Sequence, residues 1–227
     1  MNTLPEIEKA ILSLPPRETE KLFERLSAFV KAPFGVAEAA AAYTAELRAP
    51  MSFEEYMQFE ERSTTKHEYL AGRVFAMSGV TKRHNRIAGR LYCACASHLK
   101  GGPCEPYMSD VKVRLQVGKD TCVYYPDMMV VCGPHQEEDR YVADPKLIVE
   151  VLSDSTARTD RHEKRIHYAW IRALEEYVIV AQEFAEVTIF RRDESWQPAV
   201  LGSLDATLEL RSIGLTVSLA QVYEGEW

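Results

Sequence analysis

TCVYYPDMMVVC, residues 121–132, and LIVEVL, residues 147–152, decide the fold. Both are apolar runs of strand length, rich in β-branched and aromatic residues, and each carries one acid. Asp127 stands at the start of the first strand and Glu150 inside the second. A carboxylate amid Leu, Ile and Val is costly to bury unless a cation, a proton or several donors meet it, so both acids require partners.

The pattern on either side is of the same kind. In DVKVRL, residues 110–115, Val111, Val113 and Leu115 alternate with Asp110, Lys112 and Arg114, which predicts a strand with one polar face. Gly118 to Asp120 reads as a hairpin turn. Further strands are predicted at 73–77, 177–181, 186–190 and near 207–210. Ile87, Leu91, Cys95 and Leu99 recur every four residues, which predicts a long helix over 81–99. RTDRHEKRIHYAW, residues 158–170, reads as a charged helix with a capping box at Asp160 and Glu163, and a short helix near 218–223 closes the chain. Hairpin neighbours together with helical crossovers predict an α/β (α+β) domain with a mixed central sheet flanked by helices.

Ahead of this domain, Ile7, Ile11 and Leu14 mark one short helix and Leu22, Leu26, Phe29 and Val30 a second, separated by Pro15 and Pro16. An alanine-rich stretch at 36–47 is helical in character. Residues 1–50 are therefore read as a helical extension and 51–227 as the main domain, introduced by a capping box at Ser52 and Glu55.

With 227 residues, 46% hydrophobic and 27% charged, the chain can bury a substantial core, which excludes disorder as the main state. No apolar run is long enough to span a membrane, and glutamates occupy the start where a secretory signal would be basic. These features predict a cytoplasmic protein. Cys93, Cys95, Cys104, Cys122 and Cys132 show neither a CxxC pair nor zinc-ribbon spacing, and Cys93 and Cys95 read as buried or partly buried thiols. Without GxSxG, GxxxxGK[ST] or GxGxxG, a serine hydrolase is poorly supported and no nucleotide cofactor is expected. The net charge of -7 argues against a general nucleic-acid coating protein. Its distribution is uneven, however: residues 61–100 hold eight Lys or Arg and two acids, and residues 175–227 hold three and ten.

Five stretches, HEYLAGRVFAMSG (67–79), HNRIAGRL (84–91), DVKVRL (110–115), YPDMMVVC (125–132) and KLIVEVLSDSTARTDRHEKRIHYA (146–169), give residues 52–227 a resemblance to the Uma2 family. These are proteins of restriction-endonuclease-like fold within the PD-(D/E)xK nuclease superfamily. The resemblance implies a Mg²⁺-dependent endonuclease, with Mn²⁺ as a substitute ion, acting on DNA. Asp127 matches the PD aspartate and Glu150 the acid of the (D/E)xK element, and both would hold the metal, with Asp110 as a further carboxylate. The chain departs from the superfamily at the third position of that element, where Leu152 replaces the lysine. Lys112, by strand register, and Lys164, in a D-xxx-K run beginning at Asp160, are the substitutes, with Lys112 taken first. Glu68 matches an early family acid that would contact the metal or brace the site. His84 is a candidate proton donor, and Asn85, Lys82, Arg83, Arg86, Ser153, Ser155 and Thr156 are candidate substrate contacts. A homodimer would address both DNA strands. The missing lysine keeps a second reading open, a catalytically inactive DNA-binding or homo-oligomeric interaction protein on the same scaffold.

Overall fold

Ser52 and Glu55 form both halves of the expected capping box: the Glu55 N–H donates to the Ser52 hydroxyl and the Ser52 N–H to the Glu55 carboxylate, opening helix α1 (Phe53–Glu60). The computed structural model describes residues 50–134, 140–153 and 160–226, all within one unit spanning 43–227. The helices expected ahead of residue 50 lie outside the described residues.

Strands β1 (His67–Leu70) and β2 (Arg73–Ala76) pair as a hairpin closed by Ala71 and Gly72, with φ of 49° and 95°, the left-handed conformation that two-residue hairpin loops favour. Only β2 is legible in the sequence. The long helix α2 (Lys82–Leu99) is capped by Thr81, whose hydroxyl accepts from the His84 N–H, and it buries Ile87, Ala88, Leu91 and Cys95. Strand β3 (Cys104–Met108) follows where no strand is predicted, because Pro106 interrupts it and its burial does not alternate. The expected DVKVRL strand is displaced. The Asp110 and Val111 amides donate back to the Met108 carbonyl in a turn, so β4 begins at Val113 (Val113–Val117) and pairs with β5 (Asp120–Tyr124).

Strands β6 (Met128–Cys132) and β7 (Leu147–Val151) stand where the two acid-bearing runs place them. A π-helix (Asp160–Lys164) running into α3 (Arg165–Tyr168) then carries the chain to β8 (Glu176–Val180). The remainder comprises β9 (Val187–Arg191), β10 (Pro198–Leu201), β11 (Thr207–Leu210), β12 (Leu215–Ser218) and α4 (Leu219–Val222).

The central sheet is six-stranded, in the order β10-β9-β8-β7-β6-β3, and is mixed because β7 and β8 run parallel while its other pairs are antiparallel. A parallel pair needs a crossover, and the π-helix and α3 lie within it. Where the sequence suggests one sheet, β2-β1-β5-β4 form a second of four strands and β11-β12 a third of two. The central sheet is thereby buried on both faces. Leu147, Val149 and Val151 of β7 join the core with Ile87 and Leu91 of α2, while Ile148 and Leu152 join the core with Tyr124, Tyr168 and Tyr177. Strand alternation therefore puts Glu150 on the face of Ile148 and Leu152.

The buried-thiol reading holds for Cys95 and fails for Cys93, which is exposed on α2. Cys104 and Cys132 stand opposite each other in the β3–β6 register and are disulfide-bonded. The unrecognised β3 had hidden that pairing. Cys122 is a buried thiol.

Candidate active site

The β6–β7 register pairs Met128 with Val149 and, continued by one residue, brings Asp127 beside Glu150. The Val151 N–H donates to Asp127 Oδ2 at 2.7 Å, and the Asp127 N–H meets Glu150 Oε2 at 3.3 Å. The two acids of the sequence motif are thus joined through backbone amides at one point on adjacent strands. Lys164 reaches the pair from the π-helix, its Nζ donating to Glu150 Oε1 at 3.1 Å, and the Tyr168 hydroxyl donates to the same oxygen at 2.9 Å. The ammonium also lies 2.9 Å from Glu68 of β1 and 3.1 Å from Asp160. On the other side, His84 at the start of α2 places Nε2 3.2 Å from Asp127 Oδ2.

Local sequence accounts for these positions. Asp160, Lys164 and Tyr168 recur every four residues, so they share one helical face, and π-helical turns of this kind concentrate at functional sites. Asp160 is not the outward cap that its spacing to Glu163 suggests: it is 1% exposed and paired with Lys164. It is the site residue that sequence reading assigned elsewhere, although its i,i+4 spacing to a lysine was the available signal.

Electrostatics here are lopsided. Glu68, Asp127, Glu150 and Asp160 surround one ammonium and one imidazole, and all except Asp127 are nearly inaccessible. Burial raises the carboxyl pKa of Glu150 well above its usual value; Lys164 opposes the rise, and the neighbouring acids reinforce it. Burial alone would discharge Lys164, but Asp160, Glu150 and Glu68 together outweigh it and hold the ammonium charged. For His84 burial works against protonation, yet the hydrogen bond and charge of Asp127 prevail and raise its pKa. The His84 Nδ1 is buried with no hydrogen-bond partner among the described residues. Behind Lys164 stands the Tyr124 ring, 5.3 Å from Nζ, with the Tyr124 hydroxyl 2.6 Å from Nδ1 of a half-buried His167 whose pKa is pushed down to about 4 by loss of solvent.

Surplus negative charge on hard carboxylate oxygens suits a divalent cation such as Mg²⁺ or Mn²⁺. Among the described residues no three His, Cys, Asp or Glu side chains form a ready metal cage. The pair Asp127 and Glu150 is the smaller donor set that Mg²⁺ commonly uses, completed by waters and substrate phosphate. The residues therefore fit the ion.

The other sequence candidates are placed elsewhere. Lys112 stands over the Tyr125 ring, 5.4 Å from its centre, where burial lowers its pKa and Glu60 and Glu61 raise it. Lys164, not Lys112, is the lysine brought to the acid pair, because β4 starts too late to place Lys112 within the strand register assumed for it. Asp110 is 86% exposed and ion-paired with Lys66, in the turn that replaces the expected strand start. Arg83 and Arg86 are engaged by Glu226. Lys82 and Asn85 are exposed and line an open depression with Val80, Thr81 and Arg86. Ser153 is half-buried just beyond β7, while Ser155 and Thr156 lie outside the described residues.

Residues 53–220 match the Uma2 family, described as “Putative restriction endonuclease”. The chain belongs to the Uma2 family. Two uncharacterized proteins of Synechocystis sp. are similar to it. One is 36% identical over 178 residues, covering 77% of this chain and 92% of the relative. The other is 31% identical over 160 residues, covering 68% and 89%. The crystal structure of a “putative nuclease” from Anabaena variabilis superposes with a TM-score of 0.66 at 15% identity, covering 78% of this chain and all of that one. Its likeness concerns the fold alone, a mixed α/β restriction-endonuclease-like architecture. Among the described residues no helix is long and apolar enough to cross a membrane.

Proposed function

We propose that this Uma2 protein is a divalent-metal-dependent endonuclease that hydrolyses phosphodiester bonds in DNA. The observation that carries this reading is the convergence of Asp127, Glu150 and Lys164 at one buried point, although the lysine comes from a helix and not from position 152. Asp127 and Glu150 would hold Mg²⁺ or Mn²⁺, which when bound would supply Lewis-acid polarisation of the phosphate and a lowered water pKa.

The chain's own groups supply the remainder. Lys164, kept charged by its three acids, presents a fixed positive charge to the nonbridging oxygens as negative charge builds at phosphorus. Glu68 and Asp160 hold that ammonium in place, and Tyr168 orients Glu150. Water oxygen bonds to phosphorus and releases one proton to solvent, the bond from phosphorus to the leaving oxygen breaks, and His84 protonates the departing alkoxide. Burial opposes its protonation, but the contact with Asp127 raises its pKa and so favours the form that can donate. A homodimer would bring a second site to the opposite strand.

The deciding experiment incubates supercoiled plasmid and single-stranded DNA with the protein in Mg²⁺, in Mn²⁺ and in a chelator. Metal-dependent cleavage that disappears in Asp127→Ala and Glu150→Gln is expected. Cleavage unchanged in both folded variants, or no metal-dependent cleavage of either substrate, would overturn the proposal.

A further inference from the structure

On the outer side of α2, away from the acids, lies the opposite arrangement. Arg83, Arg86 and Arg90 follow one another at i, i+3 and i+7, so they form one stripe along the helix. All three converge on Glu226. Arg86 clasps it with both forks, Nε donating to Oε1 at 2.9 Å and Nη2 to Oε2 at 2.6 Å, while Arg90 Nη1 donates to Oε1 at 2.6 Å. Arg83 Nε lies 3.6 Å from Oε2, with Nη1 also bonded to Glu183. The Glu226 side chain is 0% exposed, whereas the three arginines retain 28% to 49% of their exposure. Gly225, at φ 68°, makes the turn that delivers this carboxylate after α4.

One arginine would neutralise one glutamate. Three against Glu226 and Glu183 leave a surplus of one positive charge, and the planar two-point fork that holds the carboxylate is equally suited to a phosphate. The open depression lined by Lys82 and Asn85 adjoins the clasp and shares Arg86 with it. Arg86 is only two residues beyond His84, about 3 Å along the helix axis. The stripe and the acids lie on different sides of the same first turns of α2, so only a polyanion long enough to pass around that end of the helix presents one phosphate to Asp127 and Glu150 and others to the stripe.

We infer that Arg83, Arg86 and Arg90 form a binding track for nucleic-acid backbone phosphate, and that Glu226 occupies it as an internal substitute which the substrate displaces. This deepens the nuclease reading and rests on it for the identity of the polyanion. The acidic carboxyl-terminal region thus masks the basic helix until a substrate with several phosphates competes for the guanidinium groups.

The test measures anisotropy of a fluorescently labelled 20-base-pair duplex in chelator, so that binding is read without cleavage, across a salt series. Glu226→Gln is expected to tighten binding about five- to tenfold and to steepen the slope of log affinity against log salt by about one to two, the effect of one or two additional phosphate contacts. Adding Arg86→Gln and Arg90→Gln should abolish both changes. In the wild-type protein, saturating duplex should speed hydrogen exchange at the Glu226 amide, a readout that remains if the variants do not fold. Equal affinity and slope in a folded Glu226→Gln protein, a gain that survives loss of the arginines, absence of duplex binding by both proteins, or unchanged exchange at Glu226 would each overturn the inference. Cleavage in Mg²⁺ separates the two readings. Tighter binding without cleavage removes the nuclease and keeps the track, and cleavage with no effect of Glu226→Gln does the reverse.

Discussion

The acid cluster and the arginine clasp are charge inversions of each other, placed on two sides of one helix. In the first, four carboxylates surround one lysine and one histidine; in the second, three arginines surround one glutamate. Each is over-supplied with one sign of charge, which favours a counter-ion of the other sign. They differ in access to water. The acid cluster lies between two sheets, where Coulomb interactions are strong and an unpaired charge is expensive, whereas the arginines are partly solvated and screened. Disturbing the first should consequently affect both chemistry and folding, and disturbing the second should affect mainly recognition.

The largest expected effect is on chemistry. Asp127→Ala or Glu150→Gln should lower metal-dependent cleavage about a thousandfold, equivalent to ~4 kcal/mol of transition-state stabilisation, measured in single-turnover assays. The next lies in stability. Lys164→Met leaves Glu68, Glu150 and Asp160 facing one another without their ammonium and should cost about 3–5 kcal/mol in denaturant unfolding. Lys112→Met should cost less than about 1 kcal/mol, because Glu60, the acid that acts on it most, keeps its hydrogen bonds from the His67 amide and the Tyr125 hydroxyl. Equal costs would show that the contrast between the two lysines is false.

A third expectation concerns acid. His167 has a folded-state pKa of about 4, below the usual histidine value, so the unfolded chain binds its proton first. Its contribution should be complete above about pH 6.5 and lost as pH falls toward 4, amounting to about 3 kcal/mol. His167→Gln should flatten melting temperature against pH over that interval. The smallest effect is at the clasp. Glu226 is held down to about 2, first by the Arg86 hydrogen bond, so its stabilisation is present above the ordinary glutamate value and is lost as pH falls toward 2. Glu226→Gln should lower the plateau above about pH 5 by a constant amount and remove the decline toward pH 2.

Some of this organisation was legible in the chain. The period-four stripe from Ile87 predicted α2, the Ser52 and Glu55 spacing predicted the capping box of α1, and the two apolar runs predicted β6 and β7 with their acids. Strands β1, β3 and β12 were not legible, since four- and five-residue segments with polar or proline interruptions carry too little periodicity to stand out. Lys112 was read into a strand that begins one residue after it. Asp160 and Glu163 matched a cap spacing, and spacing alone cannot tell an outward cap from an inward pair.

Local patterns by themselves determined that Asp127 and Glu150 would lie on strands and need partners, because an acid inside an apolar run is anomalous wherever that run packs. Which groups supply those partners was decided by tertiary structure alone. Leu152 shares a face with Glu150, but it enters the apolar core at 6% exposure, and the positive charge comes instead from Lys164 on the crossover. Likewise the basic helix and the acidic end are each apparent as composition, whereas their meeting at Glu226 spans 136 to 140 residues of sequence in its closest contacts. Periodicity reports what one segment buries. It carries no information about which distant segment arrives to neutralise a charge, and that depends on how the sheets and the crossover pack.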